Sequence, residues 1–372
     1  MKIAVNTRLL IKDKLDGIGW FTFETLRRIC HSHPEHEFIF LFDRPWNPEF
    51  IFSKNVTPVV IGLPARHPFL WFIWFEFSVP RALKKYKADI FLSPDGYLSL
   101  RTKCPSVAVI HDINFFHRPK DLPILSRWYY NFFFPRYARK AQRIGTVSEF
   151  SKSDISDSYH ISPEKIDVMY NGANELYRPI DSESQKRCRE KITEGKRFFI
   201  FIGTLHPRKN LVNLLLAFDS FSKASNKEFK LVIVGARFFL TSELDRVYKS
   251  MKYSKNVIFS GRLEPQELAT TLASAEALTF VPHFEGFGIP IIEAMNCDVP
   301  VIASNVTSLP EVAGDAAIFC NPSDVEDISK AMKRIVFEPG LREDLINKGS
   351  VRRMRYSWDS TAKNLWEMIE KL

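Results

Sequence analysis

The sequence predicts an α/β protein built from two Rossmann-like halves, each a parallel sheet with crossover helices. Three observations carry that prediction. The chain has 372 residues, too many for one ordinary core and suited to two. Apolar, β-branched runs of four to seven residues alternate with amphipathic stretches of ten to twenty along the whole length, the pattern of strands joined by covering helices. A polar stretch over 171–197, from the turn Asn171-Gly172 through Asp181-Ser-Glu-Ser-Gln-Lys-Arg, divides the alternation into two series.

In the first series the expected strands are 2–7, 37–42, 56–61, 88–93, 106–111, 143–148 and 166–170. In the second they are 198–204, 229–235, 257–261, 277–282, 299–304 and 316–320. The expected domains are 1–171 and 198–355, joined by a linker over 172–197. In 358–372, Trp358, Ala362, Leu365, Trp366, Ile369 and Leu372 recur at three- and four-residue intervals, so a last amphipathic helix is expected to pack on something. In such sheets ligands bind beyond the carboxyl ends of the strands, so the informative residues should follow strands directly.

Hydrophobic residues at 45% and charged residues at 26% exclude disordered and fibrous classes. Residues 1–171 hold 24 Lys and Arg against 17 Asp and Glu, whereas 172–372 hold 28 against 26. The basic half points to an anionic partner, with an ordinary lysine-rich surface as the alternative. Charges at Lys12, Asp13, Lys14 and Asp16 come too early for a signal peptide, which predicts a cytoplasmic protein. The five cysteines include no C-x-x-C pair, so neither a disulfide framework nor a zinc site is expected.

Two aromatic segments stand out in the first half. One, 68–83, has seven consecutive apolar residues from Phe69 to Phe75, far short of the ~20 that span a bilayer. The other begins at Trp128-Tyr-Tyr-Asn-Phe-Phe-Phe-Pro-Arg-Tyr and is followed by Arg139, Lys140 and Arg143. Together they form either a surface that dips into an anionic membrane interface or part of the first core.

Several strand ends carry candidate chemistry. The strand 277–282 is followed by His283-Phe284-Glu285-Gly286-Phe287-Gly288 and a helix from about Ile289 to Asn296, whose exposed amides and positive dipole end suit a phosphate. Taken as helical, the eight residues from Glu285 to Glu293 rise ~12 Å, too far for a close acid/base pair. Two separate grips on one long ligand, or a surface glutamate and a cap, are the readings left. After 198–204 comes Gly203-Thr-Leu-His-Pro-Arg208-Lys209-Asn210, whose paired cations at a helix start fit a diphosphate or a solvated turn. Asp16-Gly17-Ile18-Gly19 opens the first helix but lacks the third glycine of a dinucleotide fingerprint, which disfavours NAD. His111-Asp112 closes the strand Val107-Ala-Val-Ile, where a histidine can donate to a sugar hydroxyl or a carbonyl, or serve as a structural hydrogen-bonding residue. Ser148 is a candidate N-cap.

Taken in order, these pieces resemble glycosyltransferase family 4, the retaining family with the GT-B fold. They are Gly17-Ile-Gly19, Val109-Ile-His111-Asp112, Thr146-Val-Ser-Glu-Phe-Ser-Lys-Ser-Asp154-Ile, Tyr170-Asn-Gly172, Gly203-Thr-Leu-His-Pro-Arg-Lys-Asn210, Val234-Gly235, Phe259-Ser-Gly261, Glu285-x(7)-Glu293 and Leu309-Pro-Glu311-Val-Ala-Gly314. The resemblance implies two Rossmann-like domains with parallel sheets facing a central cleft. The first would bind the acceptor, the second the nucleotide sugar, and the final helix, 356–372, would cross back to the first.

By the same resemblance Glu293 would hold the ribose, Glu285 the sugar ring, and the 286–289 segment (Gly286, Phe287, Gly288 and Ile289) sugar and phosphate. Lys209 would neutralise the diphosphate, His111 would touch the donor sugar, and Gly17 and Gly19 would let a loop close. Thr204, Gly235 and Gly261 would line the donor. Many members have arginine where this chain has Thr204, and Arg208 is the expected substitute. No aspartate-rich motif stands out, so neither a metal nor a cofactor is expected.

The resemblance is greatest to bacterial mannosyltransferases of surface-polysaccharide assembly. It implies GDP-mannose as donor, then a UDP-sugar, and a glycan or polyprenyl-diphosphate-linked oligosaccharide as acceptor. A nucleotide-sugar 2-epimerase or phosphorylase of the same fold is the alternative. A basic nucleic-acid-binding protein is a remote one, since no recognised nucleic-acid module is present.

Overall fold

The computed structural model describes residues 1–225, 229–235 and 242–372. Its contacts divide into two units, Met1–Gly172 with Ser357–Leu372, and Ala173–Tyr356. All thirteen expected strands form.

The first unit holds β1 (Lys2–Asn6), β2 (Glu37–Phe42), β3 (Val56–Val60), β4 (Ile90–Ser93), β5 (Ser106–Val109), β6 (Arg143–Thr146) and β7 (Ile166–Val168). Every pairing is parallel, in the order β3-β2-β1-β4-β5-β6-β7. Val5 pairs with Phe40 on one side and with Leu92 on the other. Helices cover both faces, so β1 is apolar on both. Ile3 and Val5 join a core with Phe21, Leu26 and Leu365, while Ala4 joins Phe75, Tyr97 and Tyr129.

The second unit holds β8 (Arg197–Ile202), β9 (Phe229–Val234), β10 (Val257–Gly261), β11 (Ala277–Phe280), β12 (Val301–Ser304) and β13 (Ala317–Cys320). Their order is β10-β9-β8-β11-β12-β13, again all parallel. The sheets thus number seven and six strands.

Local capping explains the helix starts. Asp16 accepts from the Gly19 amide at 2.9 Å to open Gly17–Ser32, and Ser148 accepts from Ser151 at 3.0 Å to open Glu149–Tyr159. The stretch expected to be a linker contains the helix Ser182–Thr193, started by Asp181 accepting from Ser184 at 2.8 Å. Its composition is strongly polar, and only Cys188 and Thr193 are buried.

The last helix, Trp358–Glu370, packs on Gly17–Ser32 in the first unit, with Trp358, Leu365, Trp366 and Ile369 buried and Arg28 paired to Asp359 at 2.5 Å. Gly172 lies so close to it that a Cβ there would stand 2.4 Å from the Trp358 amide nitrogen. Leu365 is fully enclosed, so Leu365→Ala is expected to cost roughly 2–5 kcal/mol, read as a lower urea midpoint with an unchanged slope. A variant within experimental error of the parent would show that this helix is not part of the folding unit.

Candidate active site

The strand order of each sheet reverses once. In the second unit the chain moves outward from β8 through β9 to β10, then returns to the other side of β8 and moves through β11, β12 and β13. The loops after β8 and β11 therefore diverge and leave a crevice at the carboxyl ends of the strands, the usual ligand position in an open α/β sheet. These two loops contain Gly203–Asn210 and Val281–Gly288, the segments with the most candidate chemistry.

Side chains tie the loops together across that crevice. Lys209 Nζ lies 2.5 Å from Glu285 Oε1, and the Arg208 guanidinium bonds the same oxygen. Arg208 Nη1 also donates to the Phe284 carbonyl at 3.1 Å, and the His283 amide donates to the Arg208 carbonyl at 2.8 Å. Asn210, with φ 63°, sends its amide to the Val281 carbonyl at 2.8 Å and the Pro322 carbonyl at 2.7 Å. Asparagine suits this position because it tolerates the left-handed region and both its N–H donors are used. Lys209 and Glu285 are both buried, and Lys209 Nζ stands 5.0 Å over the Phe280 ring.

The cations sit in a short 3₁₀ turn, Pro207–Lys209, and the helix proper begins at Leu211. They are balanced in this structure by Glu285, where the sequence left a diphosphate or solvent as the readings. Glu285 is thus the counter-ion that holds both cations in place, a role invisible from spacing because the partner lies on another loop.

The turn that carries Glu285 is held from below. The Ser308 hydroxyl lies 2.9 Å from the Glu285 carbonyl and 3.2 Å from that of Phe287, and the Glu285 amide donates to Thr307 Oγ1 at 3.4 Å. Phe284 and Phe287 are buried, and Phe287 packs edge-on against Tyr356. Gly288, at φ 101°, turns the chain into the helix Ile289–Asn296, and a Cβ there would stand 2.8 Å from Leu309 Cδ2. With glycine at the N-cap no side-chain oxygen closes this helix end.

Only the part of the interval from Ile289 onward is helical, so the ~12 Å helical rise expected between Glu285 and Glu293 does not apply. The two carboxylates are nevertheless in different settings. Glu293 is half-buried and hydrogen-bonded to the Tyr177 hydroxyl. Desolvation pushes its carboxyl up to about 7, while the Tyr177 hydrogen bond works in the opposite direction. The Tyr177 phenol is itself pushed well above its ordinary value, chiefly by burial.

The remaining second-unit candidates frame the crevice. At Gly235 a Cβ would fall 1.8 Å from the Gly203 carbonyl oxygen, so only glycine fits where β8 and β9 end. The Gly235 amide is already committed to the Gly261 carbonyl at 2.9 Å. Gly261 has φ 75° and open space around it. Thr204 is exposed, and its carbonyl accepts from His206 at 2.8 Å.

The first unit reverses between β1 and β4, and there too an ion pair spans the loops. Arg8 Nε donates to Asp95 Oδ2 at 2.9 Å, and Asn6 Nδ2 donates to Asp95 Oδ1 at 2.7 Å. The Arg8 guanidinium lies 4.3 Å over the Tyr97 ring, and Tyr97 donates to the Tyr130 hydroxyl at 2.8 Å. Neither residue falls in a recognised motif, so this pair is not legible in the sequence.

His111 follows β5, with Nε2 2.8 Å from the Pro94 carbonyl. Since a carbonyl only accepts, that nitrogen carries the proton and Nδ1 is left as an acceptor. Desolvation lowers the imidazole's proton affinity and favours this neutral form. His111 is therefore set to accept from a hydroxyl, not to donate to one. Phe21, from the first helix, holds the ring edge-on at 4.8 Å.

Gly17 and Gly19 form the first turn of that helix and neither has positive φ. A Cβ at Gly19 would fit tightly, 3.1 Å from Leu15 Cδ2 and 3.3 Å from the Leu9 carbonyl. Among the described residues one His and acidic grouping can hold a metal ion, His33, Glu35 and His36. It lies just before β2, at the amino ends of the strands and away from these loops.

Two Rossmann-type units with ligand crevices at their strand reversals, the second lined by cations and a helix N-terminus, define a glycosyltransferase of the GT-B fold that uses a nucleotide-sugar donor. The family "Glycosyl transferases group 1" matches residues 182–352 and "Glycosyltransferase Family 4" matches residues 16–175, and the chain belongs to glycosyltransferase family 4. It is 30% identical over 97% of both chains to the O-antigen chain mannosyltransferase B of Escherichia coli. It is 26% identical to the O-antigen chain mannosyltransferase RfbU of Salmonella typhimurium, over 79% of this chain and 77% of that one. Among solved structures, WaaG, a glycosyltransferase involved in lipopolysaccharide biosynthesis, has the same fold with a TM-score of 0.76 at 14% identity, covering 97% of each chain. Anabaena HepE in complex with UDP and glucose matches with a TM-score of 0.78 at 15% identity over the full length of both.

Proposed function

We propose that the chain transfers mannose, with retention, from GDP-mannose to a glycan or polyprenyl-diphosphate-linked oligosaccharide during surface-polysaccharide assembly, in the cytoplasm at the inner face of the plasma membrane. The observation that carries this reading is the Arg208–Lys209–Glu285 cluster at the second unit's strand reversal, beside the open N-terminus of Ile289–Asn296. The mannosyltransferase relatives support the sugar, and a UDP-sugar is the second choice of donor.

On this reading the diphosphate displaces the internal balance of the crevice. Lys209 and Arg208 move their positive charge onto the phosphates, and Glu285 accepts from a sugar hydroxyl. The amides of the Gly286, Phe287, Gly288 and Ile289 segment meet sugar and phosphate, Glu293 holds the ribose, and Thr204, Gly235 and Gly261 shape the floor. In the first unit His111 offers Nδ1 as an acceptor for a sugar hydroxyl.

The sugar C1–O bond to the diphosphate breaks while the acceptor oxygen bonds C1 on the same face, and the acceptor's proton passes to the departing phosphate oxygen. Catalysis then consists mainly of stabilising that developing negative charge with fixed cations and amides. Fixed cations take the part a divalent ion plays in other phosphate sites, so transfer is expected to be metal-independent.

The test is a thermal-shift comparison of GDP-mannose, UDP-glucose and ADP-glucose, followed by transfer assays with and without a chelator. GDP-mannose should raise the midpoint most, by ligand linkage, and activity should survive the chelator. Stabilisation only by a UDP-sugar would move the donor assignment. Loss of activity restored by Mg²⁺ or Mn²⁺ would remove metal independence. Incubation with donor alone separates out a 2-epimerase, which would turn it over without an acceptor.

A further inference from the structure

The helix Ile124–Lys140 in the first unit carries large apolar side chains on more than one side, interrupted by Arg127, Asn131 and Arg136, yet packs on the core along only one of them. Tyr129, Phe133, Phe134 and Tyr137 face the core. The other side exposes Ile124 at 74%, Leu125 at 57%, Trp128 at 59% and Phe132 at 37%, at the spacing of one helical stripe. Phe69, on the neighbouring helix Pro68–Ile73, is 64% exposed. Scattered apolar side chains on a surface are ordinary, but a run of large ones on one stripe marks an interaction face.

The charge around the stripe indicates what it meets. Residues 118–140 contain six Lys and Arg and one acid, Asp121, which Arg118 already pairs at 2.6 Å. Trp128 and Phe132 stack with centroids 5.2 Å apart, and the Arg136 guanidinium caps the column 3.6 Å over Phe132. Arg127 lines an open groove with Ile124, Trp128 and Phe132. Aromatic and aliphatic side chains flanked by arginines, with almost no negative charge, are the composition of an interfacial helix on an anionic bilayer. Among the described residues no helix is long and apolar enough to cross a membrane, so this face would lie on the bilayer and not in it as a span.

We propose that the outer face of Ile124–Lys140, with Leu125, Trp128 and Phe132 inserted and Arg127 and Arg136 at the headgroups, docks the protein on an anionic phospholipid bilayer. This deepens the membrane side of the function proposed above. It can fail independently of the donor assignment, because binding is measured without any sugar.

The test is co-sedimentation of the full chain with vesicles of phosphatidylcholine containing one-third phosphatidylglycerol, and with phosphatidylcholine alone, at low and high salt. The parent should bind the anionic vesicles and release as salt rises. The triple variant Leu125→Ser, Trp128→Ser, Phe132→Ser and the double variant Arg127→Glu, Arg136→Glu should each bind roughly tenfold or more weakly. Both should retain the parent's melting temperature, because the substituted side chains are on the outer face.

If a variant misfolds, the parent's preference for anionic over neutral vesicles, together with its salt release, still decides. Equal binding to both vesicle types, no binding to either, or variants that bind like the parent would overturn the proposal. So would a parent dimer that the triple variant converts to monomer without change in vesicle binding, since the face would then belong to a second copy.

Discussion

Lys209→Ala is expected to lower kcat by roughly 10²–10³-fold while the protein stays folded, the loss that follows when one preorganised charge is removed from a developing anion. The size follows from position. Lys209 Nζ is held by Glu285 at 2.5 Å and over Phe280 at 5.0 Å, in a crevice where little water can screen it. Once the donor has drawn it from Glu285, its ammonium meets the charge that develops on the leaving phosphate with little solvent screening.

Removing one partner of a buried ion pair usually destabilises strongly by stranding the other. Here Arg208 still pairs with Glu285, so the melting temperature should fall only modestly. Arg208→Ala should have a smaller effect on kcat, since its side chain is 21% exposed against 10% for Lys209. Steady-state kinetics with saturating donor distinguish the outcomes. A rise in KM with kcat unchanged would mean that Lys209 only binds the donor. An unchanged kcat/KM would remove it from the site.

The strands were legible in the sequence because they are buried on both faces, so each appears as a short unbroken apolar run such as Phe198-Phe-Ile-Phe-Ile202. The turn and helix after β11 were legible because Gly288 is needed both for its positive φ and for space against Leu309. What could not be read was which residues meet. Glu285 neutralises Arg208 from 77 residues away and Lys209 beside it, Tyr177 reaches Glu293 from the segment before Ser182–Thr193, and Arg8 finds Asp95 across 87 residues. Each meeting is set by strand order, which local periodicity does not specify. The aromatic helix is a related case. Its sequence allowed either a core or an exposed aromatic face, and the structure buries one side of the helix, Phe133 inward, and leaves Trp128 exposed on the other.

Glu293 offers a second large effect, and its sign depends on pH. Its folded-state carboxyl stands at about 7, against an ordinary value of 4.5. The folded protein thus holds that proton more tightly than the unfolded chain, and stability is lost as pH rises from 4.5 through 7. Above 7 the full penalty applies, about 3 kcal/mol at most. Glu293→Gln keeps an oxygen for the Tyr177 hydroxyl and removes the charge, so it should be more stable than the parent at pH 8 and nearly equal to it at pH 4.5. The same substitution should raise the donor KM by roughly 10–100-fold, because an amide offers one acceptor oxygen where two ribose hydroxyls are to be held, and hydrogen bonds to a charged acceptor are the stronger kind. For the parent, donor affinity should weaken as pH falls below 7 and the carboxylate is protonated. Denaturant titrations at pH 4.5 and 8, with donor KM at pH 8, test both halves. A stability difference that is the same at the two pH values would show that burial does not raise this carboxyl. An unchanged KM would place the ribose elsewhere. Greater stability together with weaker donor binding would identify Glu293 as a charge kept half-buried for the ligand, at the expense of the fold.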